Sequence, residues 1–105
     1  MLVKLKCRGV IAQCTYPIIL VVDLLKYSSS SLNHLYNSKN FEFIHADVKN
    51  KKIMKKLISK NEYIIPLAGL VGAPLCEKYK KEAVNLNYKA IKDCVNFSKN
   101  KKIIF

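Results

Sequence analysis

Asp23 is the first residue in this chain whose placement could do chemistry. It closes the apolar run Ile18-Ile19-Leu20-Val21-Val22, which reads as a buried strand. A carboxylate at a strand end can accept hydrogen bonds from both hydroxyls of a ribose and repel a 2′-phosphate; it can equally be a plain strand-terminating residue. The stretch Glu62 to Pro74, Glu-Tyr-Ile-Ile-Pro-Leu-Ala-Gly-Leu-Val-Gly-Ala-Pro, is the second candidate. Tyr63, Ile64 and Ile65 read as a strand buried on both faces, and the Gly and Pro residues behind them open a loop whose backbone can lie close to a ligand. A core strand followed by an ordinary turn is the plain alternative. Asn87 is the third candidate, because a polar amide on the apolar stripe of a helix must be bonded to backbone or turned towards a site.

Other chemistries find no support in the spacing. Cys7, Cys14, Cys76 and Cys94 form no Cys-x-x-Cys pair and have no partnered histidine, so neither a zinc site nor a disulfide framework is expected, and a reducing cytoplasm fits best. His34 and His45 stand alone and read as surface or structural residues.

The elements that must hold these residues alternate. After the strand ending at Asp23, Tyr27 to Ser31 reads as a loop or helix start and Leu32 to Tyr36 as a short helix. Phe41 to Ala46 is the next strand, followed by Asp47 and Val48. Asn50 to Ser59 places Ile53, Met54, Leu57 and Ile58 on one helical face, with the lysines largely off it. Beyond the Glu62–Pro74 stretch, Lys80 to Ser98 sets Ala83, Ala90, Ile91, Cys94 and Val95 at helical spacing, with Asn87 on the same stripe. Lys102 begins another strand. This is a β-α-β-α-β series, hence an α/β fold with a parallel sheet and helices packed on it, in which ligands bind where the strands end. A chain of 105 residues makes one domain. Its first 17 residues are an atypical start.

Lys4, Lys6 and Arg8 ahead of the apolar Val10 to Val22 superficially resemble a secretory signal. Gln13, Thr15 and Pro17 interrupt that run and no small-residue cleavage site follows, so export is not expected. A spanning helix needs ~20 unbroken apolar residues, so no membrane partner is expected. The net charge of +12 is spread from Lys4 to Lys102, which suits a solvated basic surface. A nucleic-acid binder would need clustered Lys/Arg with stacking aromatics, which the sequence lacks, so nucleic acid is not an expected partner and that function is only a third reading.

Asp23 after one strand, Asp47-Val48 after the next, Leu67-Ala68-Gly69 after a third, Asn87 in the following helix and Ile103-Ile104-Phe105 entering a fourth occur in the order seen in extended short-chain dehydrogenases/reductases. Among these the chain, over residues 18 to 105, most resembles the NAD-dependent epimerase/dehydratase family acting on nucleotide sugars. Pro66 to Pro74 is similar to a subset with Pro where most members have His. The resemblance implies a partial Rossmann-like domain with NAD as cofactor and a nucleotide sugar as partner. Asp23 would hold the adenosine ribose, favouring NAD over NADP. Asp47 would meet the adenine amino group and the Val48 backbone the ring edge. Leu67, Ala68 and Gly69 would lie beside the pyrophosphate and nicotinamide ribose, Asn87 would help position groups near the nicotinamide side, and Leu70 to Pro74 would lie towards the sugar.

Two departures from the family pattern bear on activity. Met1-Leu2-Val3 stands where the first strand would be and Gly9-Val10-Ile11-Ala12 where a glycine-rich turn would cradle the pyrophosphate, but Leu5, Lys6 and Arg8 occupy the neighbourhood where glycines are expected. The family's Ser/Thr and Tyr-x-x-x-Lys come after the last strand, where this sequence stops. Tyr88-x-x-x-Lys92 precedes that strand, and with 6 Tyr and 19 Lys plus Arg it reads as a chance match. The expectation is therefore a catalytically incomplete epimerase/dehydratase, truncated or degenerate, with an open sheet edge available for self-association. A non-catalytic nucleotide-binding or interaction module is the alternative.

Overall fold

Short runs rich in aliphatic and aromatic residues form the sheet. The computed structural model describes Leu2–Cys7 and residues 17–104, with side chains from Ile18 to Ile104. Its strands are β1 (Leu2–Cys7), β2 (Pro17–Asp23), β3 (Phe41–His45), β4 (Tyr63–Pro66) and β5 (Lys102–Ile103). They lie in the order β3-β2-β1-β4-β5, the order of a doubly wound dinucleotide-binding sheet. β2 runs parallel to β3, and β4 parallel to β5. The mixed α/β class with parallel pairs and packed helices is the one expected.

The central strand departs from that pattern. β1 is antiparallel to both β2 and β4, with Leu2 opposite Val22 and Pro66, and Cys7 opposite Pro17. The physical reason is chain length. A parallel crossover with its helix needs ~10–12 residues, and residues 8–16 are fewer. Leu2-Val3 is thus not part of a parallel entry strand, and Met1 lies outside the described residues. Leu2 lies at the edge where β2 and β4 finish, and Cys7 lies about 17 Å away along the strand. The Gly9-Val10-Ile11-Ala12 turn lies outside the described residues.

Helix α1 (Lys51–Ser59) starts where expected because Asn50 caps it, its Oδ1 accepting from the Ile53 amide at 3.2 Å. Just beyond its end, Asn61 is buried and its Nδ2 donates to the Leu57 carbonyl at 2.7 Å. The second helical region comprises α2 (Ala73–Lys78), α3 (Lys80–Val84), a π-turn segment (Asn85–Ala90) and α4 (Ile91–Phe97). α1 and α4 cover one face of the sheet, burying Val22, Ala46, Met54, Ile58, Ile64 and Cys94 together. Lys51 and Asp93 pair at 3.0 Å across the two helices; largely exposed on the lysine side, such a pair is worth ~0–1 kcal/mol.

The π segment corrects the single apolar stripe expected over Lys80 to Ser98. Cys94 reaches the core as that stripe expects, but the helix is interrupted by the π segment and Val95, at the stripe's edge, is 42% exposed. Asn87 is exposed as well, not on a buried face.

On the second face, the register aligns Ile19 and Val21 with Phe41 and Phe43, and through β1 with Tyr63 and Ile65. Val21 is buried, but Tyr63 and Ile65 are only half-buried. β4 is therefore fully packed on one side only, at Ile64, while the other face of the sheet is covered only in part. Tyr36 partly shields it, its ring 6.1 Å from Phe41 and 6.2 Å from Phe43.

Candidate functional site

Parallel strands deliver their last residues to one edge of a sheet. Asp23 pairs with His45, and the Ala46 amide donates to the Asp23 carbonyl at 3.2 Å, so the chain turns at Asp47 directly beside the end of β2. β4 finishes at the same edge, and the loop after it brings up Ala68 and Gly69. Between these segments lies a hollow, open to solvent, whose lining includes Asp23, Asp47, Val48, Ala68 and Gly69.

Both carboxylates are anchored by the backbone just beyond them. Asp23 Oδ1 accepts from the Leu25 amide at 2.6 Å and steadies a residue with φ of 51°, a conformation uncommon outside glycine. His45 Nε2 lies 2.9 Å from the Leu24 carbonyl oxygen and braces the same turn. Asp47 Oδ1 accepts from the Lys49 amide at 2.9 Å, an Asx turn that sets the direction of the Val48 backbone. Among the described residues a Cβ at Gly69 would meet the Asn87 side chain, Oδ1 at 3.4 Å and Cγ at 4.0 Å, so packing there does not require glycine. Its absent side chain keeps that wall of the hollow open to a ligand.

Asn87 and Leu67 stand differently from the other candidates. Asn87 clamps the loop: its Oδ1 accepts from the Leu70 amide at 2.7 Å and its Nδ2 donates to the Leu70 carbonyl at 2.8 Å. It thus shapes the hollow through Leu70, which lines it, and is not itself a lining residue. Leu67 is 57% exposed and Val71 83%, outside the lining. Tyr88 is 59% exposed with Lys92 Nζ 5.8 Å from its ring centre, and neither lines the hollow. Replacing Asn87 with alanine removes two hydrogen bonds from an exposed site where water substitutes in part. The expected outcome is about tenfold faster hydrogen exchange at the Leu70 amide, with the Ile64 amide unchanged, as read by NMR.

Charged residues that the sequence did not single out complete the lining. Lys49 Nζ lies 2.6 Å from Glu82 Oε1 and 3.5 Å from Asp47 Oδ2, and Lys26 Nζ is 4.0 Å from the same Glu82 oxygen. The hydrogen bond to Glu82 is the main cause of a Lys49 pKa raised above its ordinary value; burial opposes it, and Asp47 adds to it. The ammonium therefore stays charged at neutral pH. Lysine is so frequent here that no spacing marks Lys49, and Glu82 comes beside it only through the fold. No cluster of metal-ligating side chains occurs among the described residues, and no helix among them is long and apolar enough to cross a membrane.

Strand order and parallel strand ends make this a mixed α/β fold compatible with a partial Rossmann-like one, with a hollow tipped by two aspartates at the edge where β2 and β4 end. The chain belongs to the polysaccharide biosynthesis protein family, whose model matches residues 7–104. That family is related to the NAD-dependent epimerases and dehydratases.

Proposed function

We propose that this chain binds NAD through its adenosine end and serves the modification of a nucleotide sugar in polysaccharide biosynthesis. The observation that carries this reading is that Asp23 and Asp47, from two parallel strands, line one hollow with Ala68 and Gly69. Asp23 accepts from the ribose hydroxyls, Asp47 from the adenine amino group, and the Val48 backbone meets the ring edge. Gly69 gives the rest of the cofactor room to pass, with Asn87 holding that loop by way of Leu70. The residues present fit the adenosine end. For the pyrophosphate, the antiparallel β1 brings no crossover helix to this edge among the described residues, so no phosphate contact is assigned to it.

NAD, when bound, supplies hydride removal and return at a sugar carbon, and the residues named here bind and orient it. The same hollow supports nucleotide binding without turnover as a second reading, because Tyr88 and Lys92, the chain's one Tyr-x-x-x-Lys, stand outside it. Calorimetric titration tests the nucleotide site itself. NAD is expected to saturate one site, and NADP to bind at least about tenfold more weakly because Asp23 would face its 2′-phosphate. Absence of saturable binding by NAD overturns the reading.

A further inference from the structure

Lysines far apart in the chain are gathered on one layer of the fold. Helix α1 and the second helical region, α2 to α4, carry nine lysines against three acidic residues. Each of the three is already engaged, Glu77 with Lys80, Glu82 with Lys49 and Asp93 with Lys51. Lys52, Lys55 and Lys56 of α1 and Lys81 and Lys92 of the second region are exposed, and none of them pairs with a carboxylate among the described residues. The second region also has two opposite faces. Leu86, Ala90, Cys94 and Phe97 line an apolar recess against Val48 and Pro66, on the side of the sheet. Lys81, Val84, Tyr88, Lys92 and Val95, three or four residues apart, are all exposed and form the outer row. Val84 is 50% exposed, Tyr88 59% and Val95 42%, so ammonium and apolar groups share that row. Single exposed apolar residues are ordinary, but a helix face that meets only water gains nothing from three of them in line.

Charge alone would suit several partners, and the apolar residues decide between them. A second copy would bring its own lysines against these. Nucleic acid could stack a base on the tyrosine but gains nothing from two valines. A protein helix seeks a cleft between helices, and these residues stand on the crest of one. An anionic lipid surface matches each feature: its phosphates take the ammoniums, tyrosine favours the interface, and the valines enter the boundary between headgroups and acyl chains while the lysine stems reach back to the phosphates. We propose that the outer face of the helical layer, with Val84, Tyr88 and Val95 among Lys81, Lys92 and the exposed lysines of α1, seats this domain on an anionic membrane surface. It lies on the bilayer without spanning it, since no helix among the described residues is long and apolar enough to cross. This seat is independent of the nucleotide site.

Co-sedimentation of the full chain with phospholipid vesicles tests it. Wild type is expected to partition onto vesicles of equal parts phosphatidylcholine and phosphatidylglycerol and to stay in solution with phosphatidylcholine alone. Each lysine near such a surface is worth about fivefold, so Lys52→Gln, Lys81→Gln and Lys92→Gln together are expected to weaken partition by about 100-fold. Val84→Ser with Val95→Ser leaves every charge in place and is expected to weaken it about tenfold, a loss that diffuse charge attraction would not produce. All of these changes are at exposed positions, and thermal unfolding checks that the variants are folded. No partition onto the mixed vesicles overturns the proposal, as does equal partition onto the neutral ones. So does unchanged partition in the valine variant, which leaves only a basic surface drawn to any polyanion. Tighter binding of duplex DNA than of the mixed vesicles at the same salt assigns the face to nucleic acid and overturns it too.

Discussion

Ile64→Ala is expected to lower the stability of this domain by about 3 kcal/mol, the middle of the range for an aliphatic side chain cut back in a packed core. Ile64 is fully buried, on a strand next to the central one, and belongs to the cluster that joins Val22 to Met54 and Ile58 of α1 and Cys94 of α4. Removing three carbons there leaves a hole between sheet and helices. β4 cannot close it, because it is paired on both sides, with β1 and with β5. Small domains have only ~5–15 kcal/mol of net stability, so a loss of this size moves the thermal midpoint by roughly 12 °C or more. Ile65→Ala is the control, the same chemistry one residue on. Its side chain is on the opposite face and is already partly exposed, so its loss is expected at ~1 kcal/mol. Urea denaturation of the two variants gives the comparison. Equal losses would mean that the second face is as well packed as the first.

That asymmetry shows where the sequence was legible. The strand read over Phe41 to Ala46 and the helix read over Asn50 to Ser59 are strong local signals; both elements occur, the strand ending one residue sooner at His45 and the helix starting at Lys51 because Asn50 caps it. Asp23 and Asp47 could be placed at strand ends because an acidic residue directly after an apolar run has few other positions to take. Strand direction carries no such signal. Residues 2–7 would look the same running either way, and only the short connection to Pro17 selects the antiparallel pairing. The π segment at Asn85–Ala90 was hidden for a different reason. A steady 3.6-residue period is assumed whenever a stripe is drawn, and Asn87, inside the π segment, is exposed and bonded to the Leu70 backbone instead of buried on the stripe. Lys49 and Glu82 are 33 residues apart and meet only when α3 is laid beside the β3–α1 turn, so their contact belongs to tertiary structure alone.

Substitution at Asp23 carries the largest effect expected on binding, and its two variants separate what the residue does for the ligand from what it does for its own loop. Accepting from two ribose hydroxyls with a charged oxygen is worth ~1.5–3 kcal/mol per bond, so Asp23→Ala is expected to weaken NAD binding by roughly 100-fold or more. Part of that loss would be indirect. The same carboxylate accepts from the Leu25 amide, and without it a residue at φ 51° loses the bond that offsets its strain. Asp23→Asn keeps a carbonyl oxygen for Leu25 and drops the charge, so the turn should hold while affinity falls by about tenfold. The diagnostic is the cofactor ratio. With the carboxylate gone nothing repels a 2′-phosphate, and the preference for NAD over NADP is expected to shrink towards unity in Asp23→Asn. A turn that mattered only for folding would weaken both cofactors alike and leave their ratio untouched. If Asp23→Ala binds NAD within about twofold of wild type, the carboxylate faces no ribose and the site must be rebuilt around Asp47 alone.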